Sequence, residues 1–291
     1  MKTIAVHSQK GGVGKTTISL LLAKYAVVTG QRVCVLDFDF IGSGMANLLA
    51  FEKRPAKYVE DYFLHGAPHD YDVRALLGKY VDRQVAPDGI AVALNTGRGL
   101  PTGKKAQAEL EMEENMLGLA ANEPHYQEIR TKAQVLFGLL AKEGLALAIV
   151  DCHPGLGLVS DAVGRLVDAN LYVTTPNRSD CFGLLREVNL RKLDSPHALL
   201  VVNRAEAPLV DPVAFAQALK QDRVLGPAGA AVLAHLKCMI AEVAHLSFAA
   251  ESDERRKCFY LGTGGLLPHV NREAPELDFC AKAMALLGGN R

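Results

Sequence analysis

A doubly wound α/β fold, with a mainly parallel sheet and helices on both faces, is predicted by three features of the sequence. Strand-like and helix-like patterns alternate along most of the chain. Residues 32–36 (RVCVL), 145–150 (LALAIV) and 197–202 (HALLVV) are largely aliphatic and meet polar residues at their carboxyl ends, as strands covered on both faces do. The first such run, residues 1–6 (MKTIAV), leads through a glycine-rich stretch at residues 10–17 (KGGVGKTT) into residues 18–28 (ISLLLAKYAVV), so a strand turns into a helix across a loop of glycines.

That loop suits an anion. Glycine at 11, 12 and 14 lets backbone N–H groups approach a polyphosphate without side-chain collisions, and the helix behind points its positive end at the same charge. Gly11, Gly12, Val13, Gly14, Lys15, Thr16 and Thr17 are therefore candidate nucleotide contacts. Lys15 is placed to reach the β and γ phosphates, the Thr16 hydroxyl to ligate Mg²⁺, and Thr17 to donate to the α phosphate. The general pattern asks for glycine at position 9, but this chain has Gln9 and then a second lysine, Lys10. With that departure the loop resembles the deviant Walker A motif of the ParA/MinD ATPases, which belong to the SIMIBI class of P-loop NTPases. The resemblance implies that Lys10 crosses a dimer interface to the partner's nucleotide.

Length and composition set the outer limits. The 291 residues are read as one domain spanning 1–291, with a less regular insertion at about 51–123, and 49% hydrophobic content is ample for a core. Apolar runs are too short to span a membrane and no signal peptide precedes the first strand, so a cytoplasmic location is expected. The six cysteines, at 34, 152, 181, 238, 258 and 280, form no C-x-x-C pair and indicate reduced, mostly buried thiols. With 32 basic and 32 acidic residues the net charge is zero, which removes the electrostatic signature of an obligate nucleic-acid binder but leaves room for a local patch and weak nonspecific DNA contact.

Along the chain, Gly30 closes the first helix and the strand at 32–36 ends in Asp37-Phe38-Asp39, at the edge where open α/β sheets bind ligands. Asp37 and Asp39 resemble the family's D-x-D element, which implies places in the magnesium shell, partly through water, for Asp37 and Asp39, and a water-orienting, catalytic role for Asp39. A turn or cap carboxylate is the plainer alternative for Asp39. Gly42-Ser43-Gly44 and a short helix at 45–50 suit a switch segment. Residues 72–80 look helical and 90–94 strand-like. The polar loop at 95–105 carries Arg98, Lys104 and Lys105, read as solvated or as contacts to a partner, nucleic acid or a second nucleotide. The acidic stretch at 109–115 reads as a solvated helix face with Met112 and Met116 inward.

A helix at about 125–142 precedes the strand at 145–150, which ends in Asp151 in the manner of a Walker B carboxylate that holds the Mg²⁺ shell, partly through water. Asp151-Cys152-His153-Pro154-Gly155 also resembles the family's second switch, whose glycine N–H senses the γ phosphate. Cys152 and His153 are adjacent and lack a third ligand at metal spacing, and the cysteines do not match those of iron–sulfur relatives of the nitrogenase iron protein type. A helix at 161–167, a strand at 170–174, Thr175-Pro176, a helix at 180–193 and the strand at 197–202 follow. At its end stands Asn203-Arg204, where the family resemblance implies adenine recognition by the asparagine. Glu206 stands where GTPases carry the aspartate that reads guanine, and an amide matches N6 and N7 of adenine, so ATP is expected over GTP. A helix at 211–220, residues 232–239 without the family's Ile-Pro, and a last helix at 275–287 complete the chain; the last has Lys282 as its only basic residue and reads as a sheet-packing element rather than a membrane-targeting one.

These features together predict a Mg²⁺-dependent ATPase that forms a homodimer around ATP, is slow and is stimulated by an unidentified protein partner, as the resemblance implies for a partitioning or positioning switch. Two alternatives belong to other classes: a nucleotide-controlled regulator or scaffold with little turnover, and a phosphotransferase like the bacterial tyrosine kinases. The kinases usually carry a C-terminal tyrosine cluster, whereas this chain has only Tyr172 and Tyr260 after Tyr126.

Overall fold

The computed structural model describes residues 1–40, 45, 55–65, 71–82, 86–94, 123–155, 158–190, 197–203, 237–241 and 278–288. In chain order these give β1 (Lys2–His7), α1 (Lys15–Val28), β2 (Val33–Phe38), α2 (Val59–His65), a 3₁₀ turn (Val73–Leu76), β3 (Leu77–Asp82), β4 (Ala86–Ala93) and α3 (Glu123–Lys142). They continue with β5 (Leu147–Cys152), α4 (Leu158–Gly164), β6 (Ala169–Thr174), α5 (Arg178–Leu190), β7 (Ala198–Asn203), β8 (Lys237–Ala241) and α6 (Asp278–Gly288). The strands form one eight-stranded sheet in the order β3-β4-β2-β5-β1-β6-β7-β8. All neighbours are parallel except β3 and β4, which pair antiparallel at one edge with a register shift between Tyr80 and Asp82.

Strand alternation divides the core in two. Val33 and Val35, Leu147 and Ile149, and Leu199 and Val201 face α1 and α6, where Ile18, Leu21, Leu22 and Leu286 complete one apolar cluster. Cys34 and Leu36, Ala148 and Val150 face the other way, onto Tyr62, Leu136 and Leu140 of α2 and α3. Such two-sided burial is why these strands read as continuous aliphatic runs. It also fixes the direction of each strand-end residue: Asp37, Asp151 and Asn203 continue the parity of the α1 face, whereas Phe38 and Cys152 belong to the opposite cluster. Helix α1 ends when the N–H groups of Thr29, Gly30 and Gln31 turn back to the carbonyls of Tyr25, Val27 and Ala26.

The doubly wound parallel fold is as the sequence predicts, with one local correction. Residues 72–80, expected as a helix, form a single 3₁₀ turn capped by the Asp72 side chain and then β3, which pairs from Leu77↔Ala93. A nucleus of one helical turn gains little by itself, and Gly78 is a poor helix former, so edge pairing to β4 wins. Other boundaries move by a few residues: the strand expected at 90–94 runs from Ala86 to Ala93, and the helix expected at 161–167 runs from Leu158 to Gly164. Outside the described residues lie Gly42-Ser43-Gly44, the loop at 95–105, the acidic stretch at 109–115, the helix expected at 211–220, and Arg204 and Glu206.

Candidate functional site

The strand order sets where the site forms. The chain places β2, β4 and β3 on one side of β1 and β6, β7 and β8 on the other, so the carboxyl end of β1 lies at a switch in winding direction, with β5 and β6 as its neighbours. The glycine loop leaves β1 there. Gly14 caps α1 at φ 92°, a left-handed conformation, and a Cβ at this position would collide with the Asn203 side-chain amide. The Ile18 N–H closes the first helical turn on the Gly14 carbonyl at 3.0 Å.

Behind the loop, three donors converge on one buried carboxylate. Lys15 Nζ lies 2.8 Å from Asp151 Oδ1, the Thr16 hydroxyl donates to Asp151 Oδ2 at 2.7 Å, and the Ser19 hydroxyl donates to Asp151 Oδ1 at 3.0 Å. Lys15 is 5% exposed and Asp151 1%. Burial opposes the charge on Lys15, but the Asp151 carboxylate outweighs it and holds the ammonium above its ordinary range.

Asp37 stands in register beside Asp151 on the neighbouring strand. Its carboxyl is pushed well above the usual range, first by burial and then by the Asp151 charge. One oxygen accepts from the Asp39 N–H at 3.1 Å; the other, Oδ2, has no hydrogen-bond partner among the described residues. Two residues further on, just past the end of that register, Asp39 meets His153, with Asp39 Oδ1 2.7 Å from His153 Nδ1. The loop after β5 is held by the Gly155 N–H, which donates to the Ser8 carbonyl at 2.7 Å. A contact from this N–H to a phosphate therefore requires that bond to be exchanged.

Lys10 is half-exposed and turns to its own chain: Nζ lies 2.6 Å from Asp180 Oδ1 in the first turn of α5 and 3.3 Å from the Ser179 hydroxyl. Asp180 also accepts from the Thr175 hydroxyl at 2.8 Å. Its carboxyl is held below the ordinary range, chiefly by the hydrogen bond from Lys10. At the far side of the loop, Asn203 is buried and donates from Nδ2 to the Val13 carbonyl at 2.7 Å, while its Oδ1 has no partner among the described residues.

The residues present fit a magnesium–triphosphate. Lys15, the Thr16 hydroxyl, Asp151 and the orphaned Asp37 Oδ2 all stand at the mouth of the glycine loop, and each would exchange or gain a partner if phosphate and a hard cation entered. The set includes one or two carboxylates rather than a closed cage, in keeping with an ion completed by phosphate and water.

The structure brings Lys15, Thr16, Asp37, Asp39, Asp151 and Asn203, the residues singled out from the sequence, to one edge of the sheet, together with three side chains that sequence reasoning did not place there. Ser19 lies one turn beyond Lys15 on α1, so helical spacing alone marks it as sharing that face. His153 meets Asp39 through the β2–β5 register, and Asp180 meets Lys10 across the β1–β6 boundary; neither adjacency is written in the local sequence.

Comparison with known proteins agrees with this geometry. Residues 1–72 match the ParA family model described as NUBPL iron-transfer P-loop NTPase. The chain is 32% identical over 102 residues to the chromosome-partitioning ATPase Soj of Thermus thermophilus, covering 32% of this chain and 41% of that one. It is 24% identical over 211 residues to a putative septum site-determining protein MinD of Oltmannsiellopsis viridis, covering 72% of this chain and 56% of that one. The chain thus spans about half the length of these relatives. Among solved structures, apo McdA from Cyanthece superposes with a TM-score of 0.61 at 17% identity over 98% of this chain and 99% of that one. By its loop, its strand-end carboxylates and its fold, the chain resembles the P-loop NTPases of the ParA/MinD type.

Proposed function

We propose that the protein is a Mg²⁺-dependent ATPase whose ATP-bound form is a homodimer and whose hydrolysis step releases it, a timer for positioning or partitioning a cellular cargo. The observation that carries this reading is the convergence of Lys15, Thr16 and Asp151 behind a left-handed glycine loop at a helix N-terminus. Lys15 would trade Asp151 for the β and γ phosphates. Thr16, with Asp151 and Asp37 behind it through water, would hold the cation, whose role is to neutralise charge on the phosphates. Asp39 would orient the attacking water, and Asn203, already braced on Val13, would present its free carbonyl oxygen to the adenine amino group. Arg204, next in the chain, is proposed to line the same base pocket. Lys10 would leave Asp180 for the partner's nucleotide, so dimer formation exchanges an internal ion pair for an external one.

Sedimentation with ATP tests the switch. Lys10→Ala is expected to lose ATP-dependent dimerisation and hydrolysis together, whereas Asp39→Ala is expected to hydrolyse slowly and persist as a dimer. Wild-type dimerisation in Lys10→Ala would remove the cross-subunit role. Phosphate release, measured alone and with candidate proteins or nonspecific DNA, separates this engine from a scaffold with negligible turnover.

A further inference from the structure

His153 adjoins the proposed chemistry through Asp39 and has been given no part in it. It sits two residues past Asp151, where β5 has ended, and its ring lies alongside the residue two past Asp37, where β2 has ended. Both backbones are tied down. Asp39 donates its N–H to Asp37 Oδ1, and the His153 loop is anchored by the Gly155 N–H on Ser8 and by Ser160 Oγ at 3.5 Å from the His153 carbonyl. Nδ1 at 2.7 Å from Oδ1 couples the orientation of the Asp39 carboxylate to the His153 ring. An ionised carboxylate only accepts, so Nδ1 is the donor; a neutral ring then carries its lone pair on Nε2. At 27% and 17% side-chain exposure, His153 and Asp39 form the rim of the site rather than part of its packed floor.

We propose that His153 is a positioning residue for hydrolysis: its Nδ1–H fixes the Asp39 carboxylate in the orientation from which that carboxylate aligns the attacking water. This rests on the hydrolytic reading above. The plain alternative is a staple between two strand ends, which would contribute to stability and nucleotide affinity but not to the hydrolytic step.

Two measurements separate these. In single-turnover hydrolysis with saturating Mg-ATP, His153→Ala is expected to slow the chemical step about 10- to 100-fold, the usual effect of losing a group that orients a catalytic ligand, with the ATP dissociation constant unchanged. His153→Asn, whose side-chain N–H falls near the place of Nδ1–H, is expected to recover most of that rate. His153→Ala added to Asp39→Ala is expected to cost nothing further. Independently of activity, ¹⁵N NMR of the nucleotide-free protein is expected to show His153 as the Nδ1–H tautomer, lost in Asp39→Ala. A wild-type rate in His153→Ala, additive losses in the double variant, or an Nε2–H tautomer would overturn the proposal while leaving the ATPase reading intact. Absence of turnover in the nucleotide-bound wild type would refute the hydrolytic reading itself, and this role with it.

Discussion

Replacing Lys15 with methionine in the nucleotide-free protein isolates the buried ion pair on which the site is built. Asp151 and Lys15 are almost wholly buried at 2.8 Å, so removing the ammonium leaves a carboxylate without its counter-charge in a low-dielectric place. Breaking such a pair by deleting one partner costs about 3–5 kcal/mol. Thr16 and Ser19 still donate to the same carboxylate, which argues for the lower end, about 3 kcal/mol. Against a total stability of about 5–15 kcal/mol that loss is large. The companion Lys15→Met/Asp151→Asn removes both charges, and because no bare ion remains it is expected to be more stable than Lys15→Met alone, with a coupling of about 2 kcal/mol. Urea denaturation followed by circular dichroism, with unchanged slope, reads both. Loss of less than about 0.5 kcal/mol in Lys15→Met, or additivity in the double variant, would show that Lys15 and Asp151 are not paired in the empty site and would refute the reasoning.

Four further outcomes are expected. Gly14→Ala is expected to lose about 1–2 kcal/mol from left-handed strain alone and to push Asn203 off Val13, weakening nucleotide binding by calorimetry. Gly138→Ala, in α3 with open space around it, should instead gain about 0.5–1 kcal/mol in the same denaturation assay. Because the native Asp37 carboxyl titrates above its ordinary range, the folded state holds a proton that the unfolded chain has released. That stability is complete below the ordinary range near 3.8 and is lost as pH rises through the raised value, so Asp37→Asn should flatten the decline, and parallel pH–stability curves would contradict it. Asp180→Ala frees Lys10 from a partly exposed pair worth about 0.2–1 kcal/mol, so ATP-dependent dimerisation should tighten up to about fivefold per lysine, and equal or weaker association in sedimentation would count against the exchange.

How much of this was legible beforehand depends on how far apart the contacting residues lie. The glycine loop and Asp37, Asp151 and Asn203 were readable because each is punctuation at the end of an aliphatic run, and strand alternation sends all three side chains to the α1 face. Ser19 was readable in principle from its helical spacing to Lys15. His153 and Asp180 were not, because their partners depend on which strands become neighbours: β2 lies against β5 and β1 against β6 across more than a hundred residues of chain. Residues 72–80 misled in the opposite sense, since a short helix-compatible stretch kept one 3₁₀ turn and from Leu77 became an edge strand once β4 offered it a ladder.

The proposed function requires that a triphosphate be held at the turn between β1 and α1. Titrating the protein with Mg-ATP in a calorimeter tests this most directly. A cradle formed by Gly14, Lys15, Thr16 and Asp151 gives saturable heat at one nucleotide per protomer, weaker without magnesium and abolished in Lys15→Met, together with a raised melting temperature. No heat and no thermal protection from Mg-ATP would contradict it.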